Sequence, residues 1–391
     1  MSAVNLSPEN WSKITRGCAE IISEQELRAK LEKGRPLKIK LGVDPTAPDL
    51  HLGHLVVLRK LRAFQDLGHQ IEFIIGDFTA RIGDPSGRSE TRPALEPEQV
   101  AANAQTYQEQ VFRVLDHQKT QLHFNSRWLE PLGVKGIFDL QRRTSVAQML
   151  RRADFAKRFE DEEPISLLEL VYPVLQGYDS IAIQADLELG GTDQKFNLLM
   201  GRELQLEKGQ EPQVVMMMPL LEGLDGVKKM SKSYGNTVAF NDPPNEMFGK
   251  TMSIPDALMP KYFELLTDLD VATAAKMHPR EAKALLGKTI VEMFHGAPAA
   301  EAAAAEFDRV FSKKQVPDQI PEFKTVRGKC LLIDLLAVSG LASSKKEARR
   351  LLDQGAVEVD GKRRTEKDTL DLQVPVLIQV GKRRFMRVIP T

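Results

Sequence analysis

The turn Asp44-Pro45-Thr46-Ala47-Pro48 constrains this chain more than any other short segment. Two prolines so close together bar both a continuing strand and a continuing helix. Before the turn, Leu37 to Val43 alternates in a strand-like way, with Leu37, Ile39, Leu41 and Val43 on one face. After it, Leu52, Leu55, Leu58, Leu61 and Phe64 recur at helical spacing. They predict a helix from about Leu52 to Leu67, with Gly68 as its stop. Ile71 to Ile75 reads as a buried second strand. Strand, turn, helix and strand make a βαβ unit, the building block of parallel, doubly wound sheets.

The alternation then gives way to helical patterns, roughly Pro97 to His117 and Val134 through Arg158, which read as an insertion in the sheet domain. Strand-like segments return at Ile181 to Leu187 and Val214 to Pro219. From Pro243 to about Phe311 the pattern is helical and rich in Ala, Glu and Lys. Lys313 to Lys324, with two prolines and few large apolar residues, reads as a linker. A compact module is expected from Arg327 to the end.

Charge separates that module from the rest. The chain has 54 Lys and Arg against 54 Asp and Glu, so no bulk field attracts a polyanion. Residues 327–391 carry 14 Lys and Arg against 8 Asp and Glu, a local surplus of positive charge. Cys18 and Cys330 are far apart and match no metal or disulfide spacing. Neither a signal-peptide pattern nor a membrane-length apolar run is present, which leads us to expect a cytoplasmic protein with no membrane association.

Two motifs suit a nucleotide. His51-Leu52-Gly53-His54 opens the first helix after the first strand, where free N–H groups and the positive dipole end favour phosphate. Gly53 lets a nucleotide approach the backbone, and His51 and His54 can donate to phosphate oxygens. Lys229-Met230-Ser231-Lys232-Ser233 lies in a Gly-rich polar stretch. Its two lysines can close over a triphosphate and neutralise charge as pyrophosphate leaves. A third constellation is Tyr172, Gln176 and Asp179, which share one helical face and can line a pocket with a hydroxyl, an amide and a carboxylate.

Together the two nucleotide motifs resemble those of class I aminoacyl-tRNA synthetases, a family with a Rossmann-like catalytic fold. The resemblance implies that His51 and His54 contact ATP phosphates, and that Lys229 and Lys232 stabilise the transition state of amino-acid activation. It places Gly53, Met230, Ser231 and Ser233 at ATP as well. The stretch Tyr172 to Asp179 looks like the pocket helix of the tyrosyl-tRNA synthetases, in their second bacterial branch. On that likeness Asp179 binds the substrate phenol, while Tyr172, Gln176 and Asp84 hold its ammonium group. Asp193 and Gln194, in Gly190-Gly191-Thr192-Asp193-Gln194, match ribose and α-phosphate contacts, and Asp44 and Thr46 match positions beside ATP. Lys40 stands where the better-known branch has a phenol-binding tyrosine, and is expected at the phenol.

The C-terminal module resembles the RNA-binding domain of ribosomal protein S-four. Ser344 and Glu347 predict a capping box for a helix that presents Lys345, Lys346, Arg349 and Arg350 to RNA, followed by a hairpin turning at Asp360-Gly361. The family's organisation would then be a catalytic domain over 1–242 with a helical insertion at about 90–170. A helical anticodon-binding domain with linker would follow over 243–324, and the RNA-binding domain over 327–391. The implied partners are L-tyrosine, ATP, tRNA(Tyr) and a second copy of the chain, with Mg2+ carried on ATP, no dedicated metal site and no tightly bound cofactor. Three other readings stay open on sequence. They are tryptophan charging, an adenylyl transferase that shares only the first motif, and an RNA-binding relative without activity.

Overall fold

The structure is a computed structural model that describes residues 6–86, 95–311, 320–366, 368–381 and 384–391. The linker expected at Lys313 to Lys324 falls largely on 312–319, and the start of the insertion on 87–94. Both stretches lie outside the described residues. The chain divides into two compact units, residues 1–300 and 301–391.

In the first unit, α1 (Pro8–Thr15), β1 (Glu20–Ile22) and α2 (Glu24–Glu32) precede the expected βαβ unit. That unit comprises β2 (Lys38–Val43), α3 (Leu52–Asp66) and β3 (Gln70–Ile75). After α4 (Pro97–Val111) comes β4 (Thr120–Phe124), a strand in the gap between the two helical patterns of the expected insertion. The insertion continues as α5 (Ser126–Leu129), α6 (Gly133–Gln141), α7 (Val146–Met149) and α8 (Ala153–Glu160). Then follow α9 (Tyr172–Ile183), β5 (Leu187–Gly191), α10 (Lys195–Glu207) and β6 (Val214–Met218). The strand expected at Ile181 to Leu187 is thus displaced. Ile181 to Ile183 complete a helix whose apolar residues pack inward, and the strand begins only at Leu187.

The six strands form one sheet in the order β1-β6-β5-β2-β3-β4. All neighbours are parallel except β1, which runs antiparallel to β6. The chain builds outward from β2 in both directions, so the order reverses between β2 and β5. Open parallel sheets bind ligands beyond the carboxyl ends of their strands at such a reversal. Helices cover both faces, so β3, β5 and β6 are buried along nearly their whole length. This also corrects the alternation read for β2, because Ile39, Lys40 and Leu41 are all buried.

On one face α9 packs closely against α10. A Cβ at Gly177 would stand 2.8 Å from Leu204 Cδ1 and 3.2 Å from the Gly201 backbone nitrogen, so a glycine there lets the helices meet. The same unit holds α11 (Pro244–Met252), α12 (Met259–Leu266), α13 (Val271–Ala275) and α14 (Pro279–His295), with Phe248 of α11 against Gly287 of α14. The helix α15 (Ala297–Phe311) carries the division between the units.

The second unit contains β7 (Glu322–Thr325), β8 (Gly328–Leu331), α16 (Leu332–Val338), α17 (Lys345–Asp353) and β9 (Val357–Val359). It ends with β10 (Lys362–Arg363), β11 (Thr369–Leu372), β12 (Val376–Val380) and β13 (Arg384–Pro390). The strands pair in the order β10-β9-β12-β13-β7, with β11 and β8 as a separate pair. Leu332, Leu336, Ala348, Leu352, Val357 and Ile378 share its core. Cys330 and Leu331 close β8, and α16 begins at the next residue.

Candidate active site

The carboxyl ends of β2 and β5 open into a cavity of about 820 Å³. Its lining brings together segments far apart in sequence. His51, Gly53 and His54 come from the start of α3, and Lys229, Met230, Ser231, Lys232 and Ser233 from the flap after β6. Asp44 and Thr46 follow β2, Asp84 reaches in from a loop, and Asp193 and Gln194 from a 3-10 turn after β5. Tyr172, Gln176 and Asp179 face in from α9. Every small-molecule residue expected from sequence lines this cavity except Lys40.

The helix tip is built by its histidines. His51 is the N-cap of α3, and its Nδ1 accepts from the Gly53 N–H at 3.2 Å. The Nδ1 of His54 accepts from the His51 N–H at 3.2 Å, so the two imidazoles form a reciprocal capping box. Because each Nδ1 accepts, each ring carries its proton on Nε2 and is neutral. Electrostatics agree. Burial, then the positive Lys232, press His54 down to about 4 against its hydrogen bond to His51, and burial holds His51 well below its ordinary value. The pair therefore offers N–H donors and no charge. Gly53 is required here, since a Cβ would meet the His51 ring at 2.9 Å.

Backbone pairing brings the flap to this tip. Leu52 N–H donates to Val238 O at 3.0 Å, and Phe240 N–H to Leu50 O at 2.9 Å. Buried Asn236 holds the flap's shape, accepting from Ser231 N–H at 2.9 Å and donating to Asp225 Oδ2 at 2.9 Å. Each flap lysine has a carboxylate. Lys229 Nζ lies 2.9 Å from Asp193 Oδ2, and Lys232 Nζ 3.1 Å from Asp49 Oδ2. Asn241 donates to the other oxygen of Asp49 at 2.9 Å. Asp49 is held below the usual carboxylate range by Asn241 and Lys232, which outweigh its burial.

The opposite end of the cavity is deeper. Asp179 is 3% exposed and accepts from Trp128 Nε1 at 2.7 Å and Asn125 Nδ2 at 3.4 Å. Burial pushes its carboxyl up to about 6, against the opposing pull of Lys40, Trp128 and Asn125. Asn125 continues to Thr79 Oγ1 at 3.0 Å, and Thr79 donates to Asp44 Oδ1 at 2.7 Å. The hydroxyl of Tyr172 donates to Asp44 Oδ2 at 3.0 Å, and burial beside Asp44 and Asp84 raises it well above the ordinary phenol range. Asp84 accepts from Ser86 N–H, Ser86 Oγ and Gln194 Nε2 at 2.9, 2.6 and 2.8 Å.

Lys40 is the correction. It is fully buried against α9 and does not line the cavity. Its ammonium meets Gln176 O, Ser180 Oγ and Glu188 Oε1 at 2.9, 2.7 and 2.7 Å. These acceptors match the three protons of an ammonium, which leaves none for a phenol. Glu188 itself lines the cavity and was missed from sequence, as were Asn125, Trp128, Asp49 and Asn236.

Among the described residues, no group of three or more His, Cys, Asp or Glu side chains gathers to hold a metal ion. No described helix is long and apolar enough to cross a membrane.

Residues 32–312 match the family described as tRNA synthetases class I (W and Y). The chain belongs to that family. This class I synthetase also matches the S4 domain over residues 332–373, within the second compact unit. It is 54% identical to a Tyrosine--tRNA ligase of Moorella thermoacetica over 389 residues, covering 96% of this chain and 94% of that one. A Tyrosine--tRNA ligase of Thermotoga maritima is 52% identical, with 98% of each chain covered. Among solved structures, the tyrosyl-tRNA synthetase of Archaeoglobus fulgidus, complexed with L-tyrosine, shares the fold at a TM-score of 0.62 and 22% identity, over 76% of this chain and 99% of that one. A C-terminally truncated mitochondrial tyrosyl-tRNA synthetase of Aspergillus nidulans gives 0.64 and 20%, over 79% and 94%.

On α17 of the synthetase's S4 domain, Lys345, Lys346, Arg349 and Arg350 are exposed, opposite buried Ala348, Leu351 and Leu352. Ser344 caps this helix by accepting from Glu347 N–H at 3.2 Å, but the Glu347 carboxylate reaches Ser343 N–H and not Ser344, so half the expected box forms. Asp360 and Gly361, both at positive φ, make the expected turn between β9 and β10.

Proposed function

We propose that this chain is a tyrosine–tRNA ligase, which activates L-tyrosine with ATP and transfers it to tRNA(Tyr). The carrying observation is that one cavity joins the His51/His54 tip and the Lys229/Lys232 flap to the buried carboxylate of Asp179. A polyanion fits the first two, and an aromatic alcohol fits the third.

In the first step the tyrosine carboxylate attacks the α-phosphate, a new P–O bond forms, and the bond to pyrophosphate breaks. No protein nucleophile takes part, so positioning and charge neutralisation carry the rate. Asp179 accepts the phenol proton's hydrogen bond, while Asp84, Tyr172 and Gln176 hold the ammonium. Asp193 and Gln194 take the ribose and α-phosphate, beside Asp44 and Thr46. The neutral imidazoles of His51 and His54 donate to phosphate oxygens. Lys229 and Lys232 exchange their carboxylate partners for the leaving pyrophosphate. Mg2+ enters as part of the ATP substrate. In the second step the terminal ribose hydroxyl of the tRNA attacks the adenylate carbonyl, and AMP leaves.

Partners follow the same reading. The basic face of α17 takes RNA phosphates, and helices within 243–311 face the anticodon arm. The apolar side chains of Val134, Phe138, Val146, Phe159 and Leu167 are exposed on the insertion, which supports a homodimer through that surface. The enzyme would work in the cytoplasm. ATP–pyrophosphate exchange with each aromatic amino acid tests the reading. Exchange is expected with tyrosine, and exchange with tryptophan alone would overturn the assignment.

A further inference from the structure

The strands β2 and β5 pair at only two positions, Ile39 with Leu187 and Lys40 with Glu188. The second rung carries opposite charges with side chains 0% and 1% exposed. Around Glu188 the shell is complete. Its Oε1 meets Lys40, and its Oε2 accepts from Ser180 Oγ at 3.1 Å and from the Gln213 side-chain amide. The Gln176 amide nitrogen lies 3.5 Å from Oε1.

Stability alone does not explain such a pair. Removing two ions from water is costly, and apolar residues of similar volume are often as stable or more so. Its location offers a reason. Lys40 grips α9 at the carbonyl of Gln176 and at Ser180, the neighbour of Asp179, and both Gln176 and Asp179 line the cavity. Glu188 reaches the cavity from the neighbouring strand and faces the Gln176 amide. One ammonium thus ties β2, β5 and α9 together at the amino-acid end.

We infer that the Lys40–Glu188 pair positions the amino-acid half of the site, fixing Gln176 and Asp179 relative to the sheet so that L-tyrosine meets both at hydrogen-bonding distance. The inference rests on reading this end of the cavity as the tyrosine site. Lys40 acts through α9 and touches no substrate, and Glu188 acts through the Gln176 amide. A displacement of about 1 Å at reacting groups can cost on the order of 10²-fold in rate, so a tie of this kind has measurable leverage.

Glu188→Gln keeps the shape and one acceptor oxygen, and removes the charge. The double variant Lys40→Met with Glu188→Leu removes both charges and leaves neither ion stranded. We expect each to raise the KM for tyrosine in ATP–pyrophosphate exchange about tenfold, with the KM for ATP within about twofold of the parent. The double variant is expected to melt close to the parent temperature while keeping the raised tyrosine KM. A double variant that recovers both melting temperature and tyrosine KM would make the pair structural only and overturn the inference. So would a tyrosine KM unchanged in Glu188→Gln, the variant that decides if the double one fails to fold. Parent enzyme whose exchange ignores tyrosine would instead defeat the functional reading, a result visible before any variant is compared.

Discussion

The two ends of the cavity hold their charges in opposite ways. At the deep end, Asp179, Lys40 and Glu188 are buried, and each is held by hydrogen bonds with more than one neighbouring group. At the nucleotide end, Lys229, Lys232, Asp193 and Asp49 are about one-fifth to one-third exposed and pair one to one across a flap. Buried networks specify geometry, whereas partly solvated ion pairs are worth little and exchange readily. Under the proposed function, the amino acid would meet a fixed wall and the triphosphate would meet cations able to exchange partners.

The largest expected effect lies at the movable end. Lys232→Ala should lower kcat for pyrophosphate exchange by about 10²–10³-fold, the usual loss for one preorganised charge on a leaving group. The melting temperature should barely change, because the Asp49 pair is partly exposed. A large drop in melting temperature would break the contrast.

Next in size, Asp179→Asn should lower kcat/KM for tyrosine about 10–100-fold, the value of a charged hydrogen bond, and leave the KM for ATP alone. Steady-state kinetics with each substrate varied in turn would check it.

Acidity sharpens the same contrast. Asp179 sits at about 6 when folded, above the roughly 3.9 of an unfolded aspartate. A carboxyl raised in this way binds protons more readily when folded. Its ionisation therefore lowers stability as pH climbs from about 4 to about 6, and the penalty is complete above that window. The KM for tyrosine should rise as pH falls through about 6, and this limb should vanish in Asp179→Asn. His54, at about 4, lies too low to produce it.

The smallest effect belongs to Asp49→Asn, which loosens the resting partner of Lys232. The KM for ATP should fall about twofold to fivefold with kcat unchanged, since less of the enzyme holds its flap cation engaged elsewhere. A raised KM would mean that Asp49 assists ATP directly.

Local patterns made much of this legible from sequence. The Asp44–Pro48 turn marked the break between β2 and α3, and helical spacing put Tyr172, Gln176 and Asp179 on one face. Partners that arrive from distant segments left no local trace. Asn125 and Trp128 follow an edge strand in the unassigned gap between two helical patterns, and nothing near Asp179 in sequence announces them. Lys40 is expected at the phenol by its likeness in position to a tyrosine, and a matching position does not say where a side chain of different chemistry turns; its ammonium is taken up by Gln176, Ser180 and Glu188. Its partner Glu188 lies in a strand that the apolar run before it obscured.

One feature of the sheet bears on how such an enzyme can change over time. Among the described residues, β2 and β5 pair no further than Lys40 and Glu188, while Leu41, Gly42 and Val43 and Leu189, Gly190 and Gly191 continue along the cavity wall. Peptide groups on those diverging edges are main-chain atoms that a point mutation does not delete. Side chains around them can drift through generations, and this share of the binding surface persists as long as the two strands still diverge.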